Sequence, residues 1–401
     1  MNASNTATST APTPQASKTL VWACSVLSAL FASGYGVLFT IGGEYRDQFG
    51  ITESTFGLII GVGFIVAVAG QVTFGPLGDR GHARALVLGG SVVNCIGLLM
   101  MGFGTSATVI ILGRVVSGIA IGAAAPAVKR IVIVGSGENT GRNLGRLFSA
   151  DVFGFAMGPA LSALLVGKFG LPAPFIVLTV LIVLAVFVTL RIPLKEEPNP
   201  QPQRLAFDLF QDRAFAGAVM IGSAAFVMIG AFDTLWDLVH TDLGSPGWMS
   251  NLGITLFAIP LVLLGPSSGK LAQRIGPFVL AASGMVLGAL FIGIYGVLSV
   301  GAAIFWVAMV HAISDGLTFV ASGVAVGLRA PDSRQAAGQG LLGASQALAA
   351  GIMAPVTGWL YEHQGQQAAY WTASGVILAM TAIGLFLARD VVGKVIASNE
   401  S

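Results

Sequence analysis

The chain has 401 residues, of which 55% are hydrophobic and only 9% charged, with 20 Lys and Arg set against 18 Asp and Glu. So few charges cannot cover a water-soluble globule of this size, and a net charge of +2 offers no basic surface to nucleic acid. A polytopic helical membrane protein remains, a class in which glycine, here 54 residues, is common.

Residues 1–17 are rich in Ser, Thr, Ala and Pro and carry no Arg, which reads as a disordered cytoplasmic tail rather than a transit peptide or a cleaved signal. Apolar runs of about 20 residues, the length that crosses a bilayer, then follow one another twelve times. They lie near 20–43, 55–75, 85–104, 107–134, 147–167, 172–193, 214–239, 250–269, 278–298, 301–328, 336–360 and 369–389. Seventeen of the 20 Lys and Arg fall in the tails and alternate loops on one side of these spans, whereas the other side carries Glu44, Asp47, Glu53, Asp242 and Glu362. The positive-inside rule then puts both termini in the cytoplasm of a cell whose plasma (inner) membrane holds the chain.

The longest loop on the basic side, 194–213, is rich in Pro, Gln and charge and reads as a linker between six-helix halves at 18–193 and 214–389, with a short cytoplasmic tail at 390–401. The halves echo each other. Gly75–Arg80 after span 2 returns as Gly269–Arg274 after span 8 at an offset of 194, and Met157-Gly158-Pro159 in span 5 returns as Met353-Ala354-Pro355 in span 11 at an offset of 196. Duplicated halves are a transporter's design.

Cys24 and Cys95 both stand inside apolar runs, and four scattered histidines make no ligand set, so neither a metal nor a disulfide is expected. No G-x4-GK[ST] sequence occurs, and no cofactor is expected.

Three motifs carry a family resemblance. Loop 2–3 reads Gly75-Pro-Leu77-Gly-Asp79-Arg80-Gly81-His82-Ala83-Arg84, span 4 carries Arg114-x3-Gly118-x3-Gly122, and span 5 carries Gly145-x8-Gly154-x3-Gly158-Pro159. Over essentially its whole length the chain resembles the major facilitator superfamily, and its span 5 pattern is similar to that of the twelve-helix drug:proton antiporters. The loop motif departs from the family's G-x-L-a-D-R-x-G-R-R by a displaced Gly and a missing basic residue, and span 1 lacks the proline those antiporters usually show. The resemblance implies an all-α fold of twelve membrane helices in two pseudo-symmetric halves, with spans 1, 4, 7 and 10 around a central cavity. It also implies conformational roles for the motif residues. Gly75, Asp79 and Arg80 would latch the halves at the cytoplasmic face, and Gly145, Gly154, Gly158 and Pro159 would let span 5 bend and pack against the opposite half. Plain helix packing and a solvated basic loop are the structural alternatives.

Charged groups inside spans are expensive and point to function. His311 lies roughly 15 Å into span 10 and Asp315 roughly 21 Å. Being four apart they share a helix face, which Thr318 and Ser322 continue. The resemblance puts this face on the substrate path, with Asp315 and His311 as proton carriers; the alternative is a structural His–Asp pair tying spans 10 and 11 together. Asp233 and Asp237 form a second such pair in span 7 beside Phe232 and Trp236. Asp233 is the deeper, a candidate proton or cation site, and Asp237 approaches the headgroups. Arg114, roughly 10 Å into span 4, is expected to pair with a buried carboxylate or an anionic substrate group, or else to bridge or snorkel structurally. Asp151 in span 5 is expected to pair with cytoplasmic Arg.

Phe31, Tyr35 and Phe39 recur every four residues along span 1. They can wall a site for flat apolar or cationic compounds, or face lipid and neighbouring helices. Trp248, Tyr361, Tyr370 and Trp371 stand at outer span boundaries as interface anchors. The expected function is that of a monomeric secondary transporter exchanging protons for a small apolar or cationic compound by alternating access. The alternative is a facilitator or exporter of a metabolite or lipid whose anionic group Arg114 binds. An intramembrane enzyme is not expected, because no nucleophile or metal set accompanies the acidic pairs.

Overall fold

The computed structural model describes residues 18–38, 41–51, 53–192 and 205–392; the N-terminal tail, Phe39, the linker stretch 194–204 and the C-terminal residues 393–401 lie outside the described residues. The helices are α1 (Lys18–Leu38), α2 (Gly42–Phe49), α3 (Glu53–Leu77), α4 (Ala83–Phe103), α5 (Ala107–Ser136), α6 (Thr140–Phe169) and α7 (Ala173–Leu190). They continue with α8 (Arg213–Asp242), α9 (Gly247–Ile275), α10 (Pro277–Tyr295), α11 (Gly301–Thr318), α12 (Ala321–Arg329) and α13 (Gln335–Leu387). Among the described residues no strand occurs. Nine continuous stretches are long and apolar enough to cross a membrane, and three of them turn back once, at Gly81, Gly137 and Gly365, which makes twelve crossings. Lys18 and Leu387 therefore stand at one end of the bundle, called here the terminal end.

Local chemistry sets the breaks. Gly81 (φ 84°) and Gly365 (φ 85°) adopt a left-handed backbone that a side chain would oppose, and each reverses a helix that hydropathy alone would let run on. Ser106 caps α5 by accepting the Val109 N–H at 3.5 Å, and Asp212 caps α8 by accepting the Ala214 and Phe215 N–H groups at 2.8 and 3.3 Å. Two expected spans differ. Span 5 starts at Thr140, because its polar first two turns stay helical beyond the apolar run. Span 10 is interrupted at Phe319 and Val320, between α11 and α12. There Thr318 Oγ1 bonds back to the Ser314 carbonyl at 2.9 Å, the kind of side-chain competition that bends helices.

Two apolar clusters divide the interior. The larger fills the C-terminal half and runs on through Leu20, Cys24, Leu27, Val87 and Ile131 into the terminal end of the N-terminal half. The smaller, around Phe31, Leu38, Tyr45, Met101 and Phe175, occupies the opposite end of the N-terminal half by itself. The halves thus share a core at the terminal end only. Outer faces carry residues such as Ile65 and Leu263, each 70% exposed, an apolar surface that suits lipid rather than water.

Helix α6 is the hinge between the two arrangements, and its glycines correct one expectation. A Cβ on Gly141 or Gly145 would collide with the backbone of Gly269 or Gly265 on α9, in the opposite half. A Cβ on Gly154 or Gly158 would collide with Ala29 or Gly36 on α1, in the same half. Nine residues separate Gly145 from Gly154, two and a half helical turns, so the two pairs look in opposite directions. The pair preceding Pro159 therefore joins α6 to its own half, and the contact with the other half lies nearer the terminal end.

Candidate functional site

The terminal end is closed by a carboxylate. Asp79, in the tight turn between α3 and α4, accepts the Ala336 N–H at 2.9 Å and the Ala337 N–H at 2.8 Å, and Arg130 Nε donates to it at 2.9 Å. Ala336 and Ala337 belong to the first turn of α13, whose N–H groups have no partner within the helix. Gly75 and Gly78 let the chains meet: a Cβ on either would lie 3.1 and 3.0 Å from Ala336 atoms. Arg80 shapes the same turn with its bridge-region backbone (φ −86°, ψ 16°). Deeper in, Phe148 of α6 stacks on Phe319 at the span 10 break with centroids 5.0 Å apart, and Phe226 of α8 lies 5.8 Å from Phe319. These rings meet across the two halves.

Beyond that aromatic plug the halves part. Phe226, Ile229, Asp233 and Asp237 follow one another at helical spacing along one stripe of α8, so the acidic pair continues the face that carries Phe226 to the plug. Both aspartates are exposed, Asp233 about 13 Å in from the helix end. Phe232 and Trp236 point the other way. They are buried in the C-terminal half, where Phe232 packs on Trp236, Phe257 and Tyr295 at 4.9, 4.8 and 6.1 Å. Adjacency in sequence thus does not become adjacency in the site, because residues one apart on a helix diverge by about 100°.

His311 and Asp315 are brought together: Nε2 of the imidazole lies 3.4 Å from Oδ1 of the carboxylate, with the residues 0% and 3% exposed. They stand inside the C-terminal half, between α9, α10 and α11. Phe291 stacks on the imidazole at 4.8 Å, Phe257 meets it edge-on at 5.6 Å, and the Tyr295 hydroxyl bonds Nδ1 at 2.9 Å. Tyr370, expected as an interface anchor, is instead buried against Tyr295 at 5.7 Å, since α13 turns that ring inward. Trp248 and Trp371 are exposed.

In the other half Arg114 is 1% exposed, with its guanidinium carbon 3.8 Å from the Tyr35 ring centroid and 5.8 Å from that of Phe64. Gly63 makes the room, since its Cβ would strike the guanidinium. No carboxylate pairs with it, and its three nitrogens have no hydrogen-bond partner among the described residues. Phe31 is buried in the N-terminal core rather than lining an opening. Asp151 corrects a further expectation: its partner is the Ser28 hydroxyl of α1, with Lys129 of α5 as the nearby cation, because α6 turns this residue toward its own half and away from the terminal arginines.

At the surface of the terminal end, Asp208 and Asp212 beside the linker hold Arg334 and Arg329. Arg334 Nη2 donates to Asp208 at 2.8 Å, and Arg329 Nε to Asp212 at 3.1 Å. The Arg334 hydrogen bond holds the Asp208 carboxyl below the usual carboxylate range. Tyr295, Phe148, Phe226 and Phe319 were not legible as site residues, because their partners come from distant helices. The one local signal was Thr318 preceding the span 10 break.

A profile of the Major Facilitator Superfamily matches residues 21–253 and 214–400. The chain belongs to that superfamily. Multidrug resistance protein MdtG of Escherichia fergusonii is 22% identical over 264 residues, covering 62% of this chain and 64% of the relative. An uncharacterized MFS-type transporter of Mycobacterium tuberculosis is 30% identical over 168 residues, covering 38% of this chain and 40% of the relative. The chain thus aligns with less than two thirds of the length of these curated relatives. Among solved structures, the human organic anion transporter MFSD10 superposes with a TM-score of 0.75 at 14% identity, covering 91% of this chain and 99% of that one. The Escherichia coli fucose:proton symporter FucP in its outward conformation superposes with 0.73 at 13% identity, covering 92% and 98%. The fold is that of a twelve-helix transporter in two halves.

Proposed function

We propose that this transporter is a proton-coupled antiporter, exporting a small apolar or cationic compound across the plasma membrane by alternating access, with both termini in the cytoplasm and the monomer as the working unit. The observation that carries the reading is the His311–Asp315 pair. An ionisable pair held at 3.4 Å in the packed interior of a moving half is expensive unless it is used. Asp233 supports it by placing a second carboxylate on the stripe that faces the gap between the halves. Protonation of these groups competes with a cationic substrate, and each charge moved through 100 mV contributes about 2.3 kcal/mol toward rocking the halves. The latch at Asp79, the plug at Phe319 and the parted far side are the features of such a machine caught open away from the terminal end. Likeness to multidrug resistance proteins and the glycine pattern of span 5 support export of a drug-like solute.

The reading is tested with Asp315→Asn in proteoliposomes. Flux driven by a pH gradient should disappear, while counterflow exchange of substrate, which needs no net proton movement, persists. Unchanged gradient-driven flux overturns it.

One observation favours a second reading. The unpartnered Arg114 guanidinium is a ready receptor for an anionic group, as a facilitator or exporter of an anionic metabolite or lipid requires. Arg114→Ala should then abolish binding of anionic compounds; normal binding of them by that variant removes this reading.

A further inference from the structure

We infer that Tyr295 is a positioning residue of the proton site, fixing which nitrogen of His311 faces Asp315; this rests on the proton-coupled reading above. The Tyr295 hydroxyl lies 2.9 Å from Nδ1, and Asp315 Oδ1 lies 3.4 Å from Nε2, so both imidazole nitrogens are engaged and neither group can change protonation without the other contact responding. The ring cannot turn to escape, since Phe291 stacks on one face at 4.8 Å and Phe257 closes the edge at 5.6 Å. Tyr295 is held in its turn: the Gln366 side chain, from the last crossing, donates to the Tyr295 carbonyl at 2.6 Å and to that of Leu298 at 2.8 Å.

With a neutral imidazole, Tyr295 donates to Nδ1 and the Nε2–H points at the Asp315 carboxylate. When one proton is taken up, an Nδ1–H bond forms, the tyrosine hydroxyl turns its own proton away and its oxygen accepts from Nδ1–H. The carboxylate stays ionised opposite the imidazolium, so the pair gains one proton and one charge, and release reverses each movement. The titratable groups facing His311 are Asp315 on its own helix and Tyr295 from α10, with Tyr370 of α13 behind Tyr295. From α9 the facing group is the apolar Phe257, and from α8 Met228 approaches beside Gly288.

Tyr295→Phe keeps the ring in its aromatic cluster and removes the one atom that matters. A buried N–H of a cation suffers more from losing its acceptor than a neutral nitrogen does from losing its donor. The pH profile of gradient-driven flux in proteoliposomes should therefore move about one pH unit toward acid, with the maximal rate recovered at low pH. In a His311→Asn background the same change should move nothing further. Flux reduced equally at every pH would show a packing role only and overturn the inference. Wild-type vesicles without any proton-linked flux would instead overturn the proton reading, and this inference with it. A second measurement needs no substitution at Tyr295: nitrogen NMR of histidine-labelled protein, with the signal assigned by its loss in His311→Asn, should show neutral His311 protonated on Nε2. The Nδ1–H tautomer would contradict the arrangement.

Discussion

Asp79 accepts the backbone N–H of Ala337 at 2.8 Å, so a carboxylate of one half caps a helix of the other. The contact exists only while the terminal end is closed, and it ties a helix dipole to the two-state movement of the halves.

Asp79→Asn keeps the shape and removes the charge shared with Arg130 and the α13 terminus. A hydrogen bond to a charged group is worth about 1.5–3 kcal/mol, so the closed state should lose at least about tenfold in population. Spin labels at Glu138→Cys and Gln273→Cys report this directly, because Gln273 Nε2 donates to the Glu138 carbonyl at 3.1 Å when that end is shut. The Asn variant should add a longer distance; an unchanged distribution denies the latch.

The two glycine pairs of α6 should fail differently. Gly145→Ala pushes α6 off α9 and should reduce substrate flux by about tenfold or more, since a methyl group overpacked against backbone typically costs about 1–3 kcal/mol, here charged to the closed state alone. Gly154→Ala strains α6 against α1 within one half and should lower the melting temperature in detergent. Equal loss of thermal stability in both variants would show that the pairs do not serve separate contacts.

Arg114 over Tyr35 at 3.8 Å is a desolvated cation–π contact, worth about 2 kcal/mol. Tyr35→Leu should lower the melting temperature by several degrees, and Tyr35→Phe much less. If the two substitutions are equally harmful, the hydroxyl rather than the ring is what Arg114 needs.

Outside the membrane, Arg334 holds the Asp208 carboxyl below its usual range. A carboxylate that ionises more readily when folded adds stability that is fully present above about pH 4 and is lost as pH falls through the lower folded value. The half-exposed pair contributes less than about 1 kcal/mol. Melting temperatures of wild type and Asp208→Asn should therefore differ slightly and constantly from pH 7 down to about 4, then converge; a difference that widens in acid refutes the assignment.

The sequence made the fold plain because hydropathy, charge asymmetry and the echo of Gly75–Arg80 by Gly269–Arg274 are local signals repeated along the chain. The His311–Asp315 contact was equally readable, since i,i+4 spacing on a helix is itself geometry. What lay beyond it was rotation. Phe232 and Asp233 are neighbours in the chain, yet one is in the C-terminal core and the other faces the gap between the halves. Gly145 and Gly154 belong to one motif and serve opposite sides of α6. The direction in which a helix face looks is decided by its neighbours in space, and the partners of Tyr295, Asp151 and Phe319 come from helices that no spacing connects to them.

The central claim is proton exchange at Asp315, and one measurement addresses it most directly. Proteoliposomes carrying a pH-sensitive dye should release or take up protons when lipophilic cations or neutral drug-like compounds are added, and vesicles of Asp315→Asn should remain silent. Substrate flux in wild-type vesicles with no accompanying proton signal would contradict the account, leaving His311 and Asp315 as a structural pair.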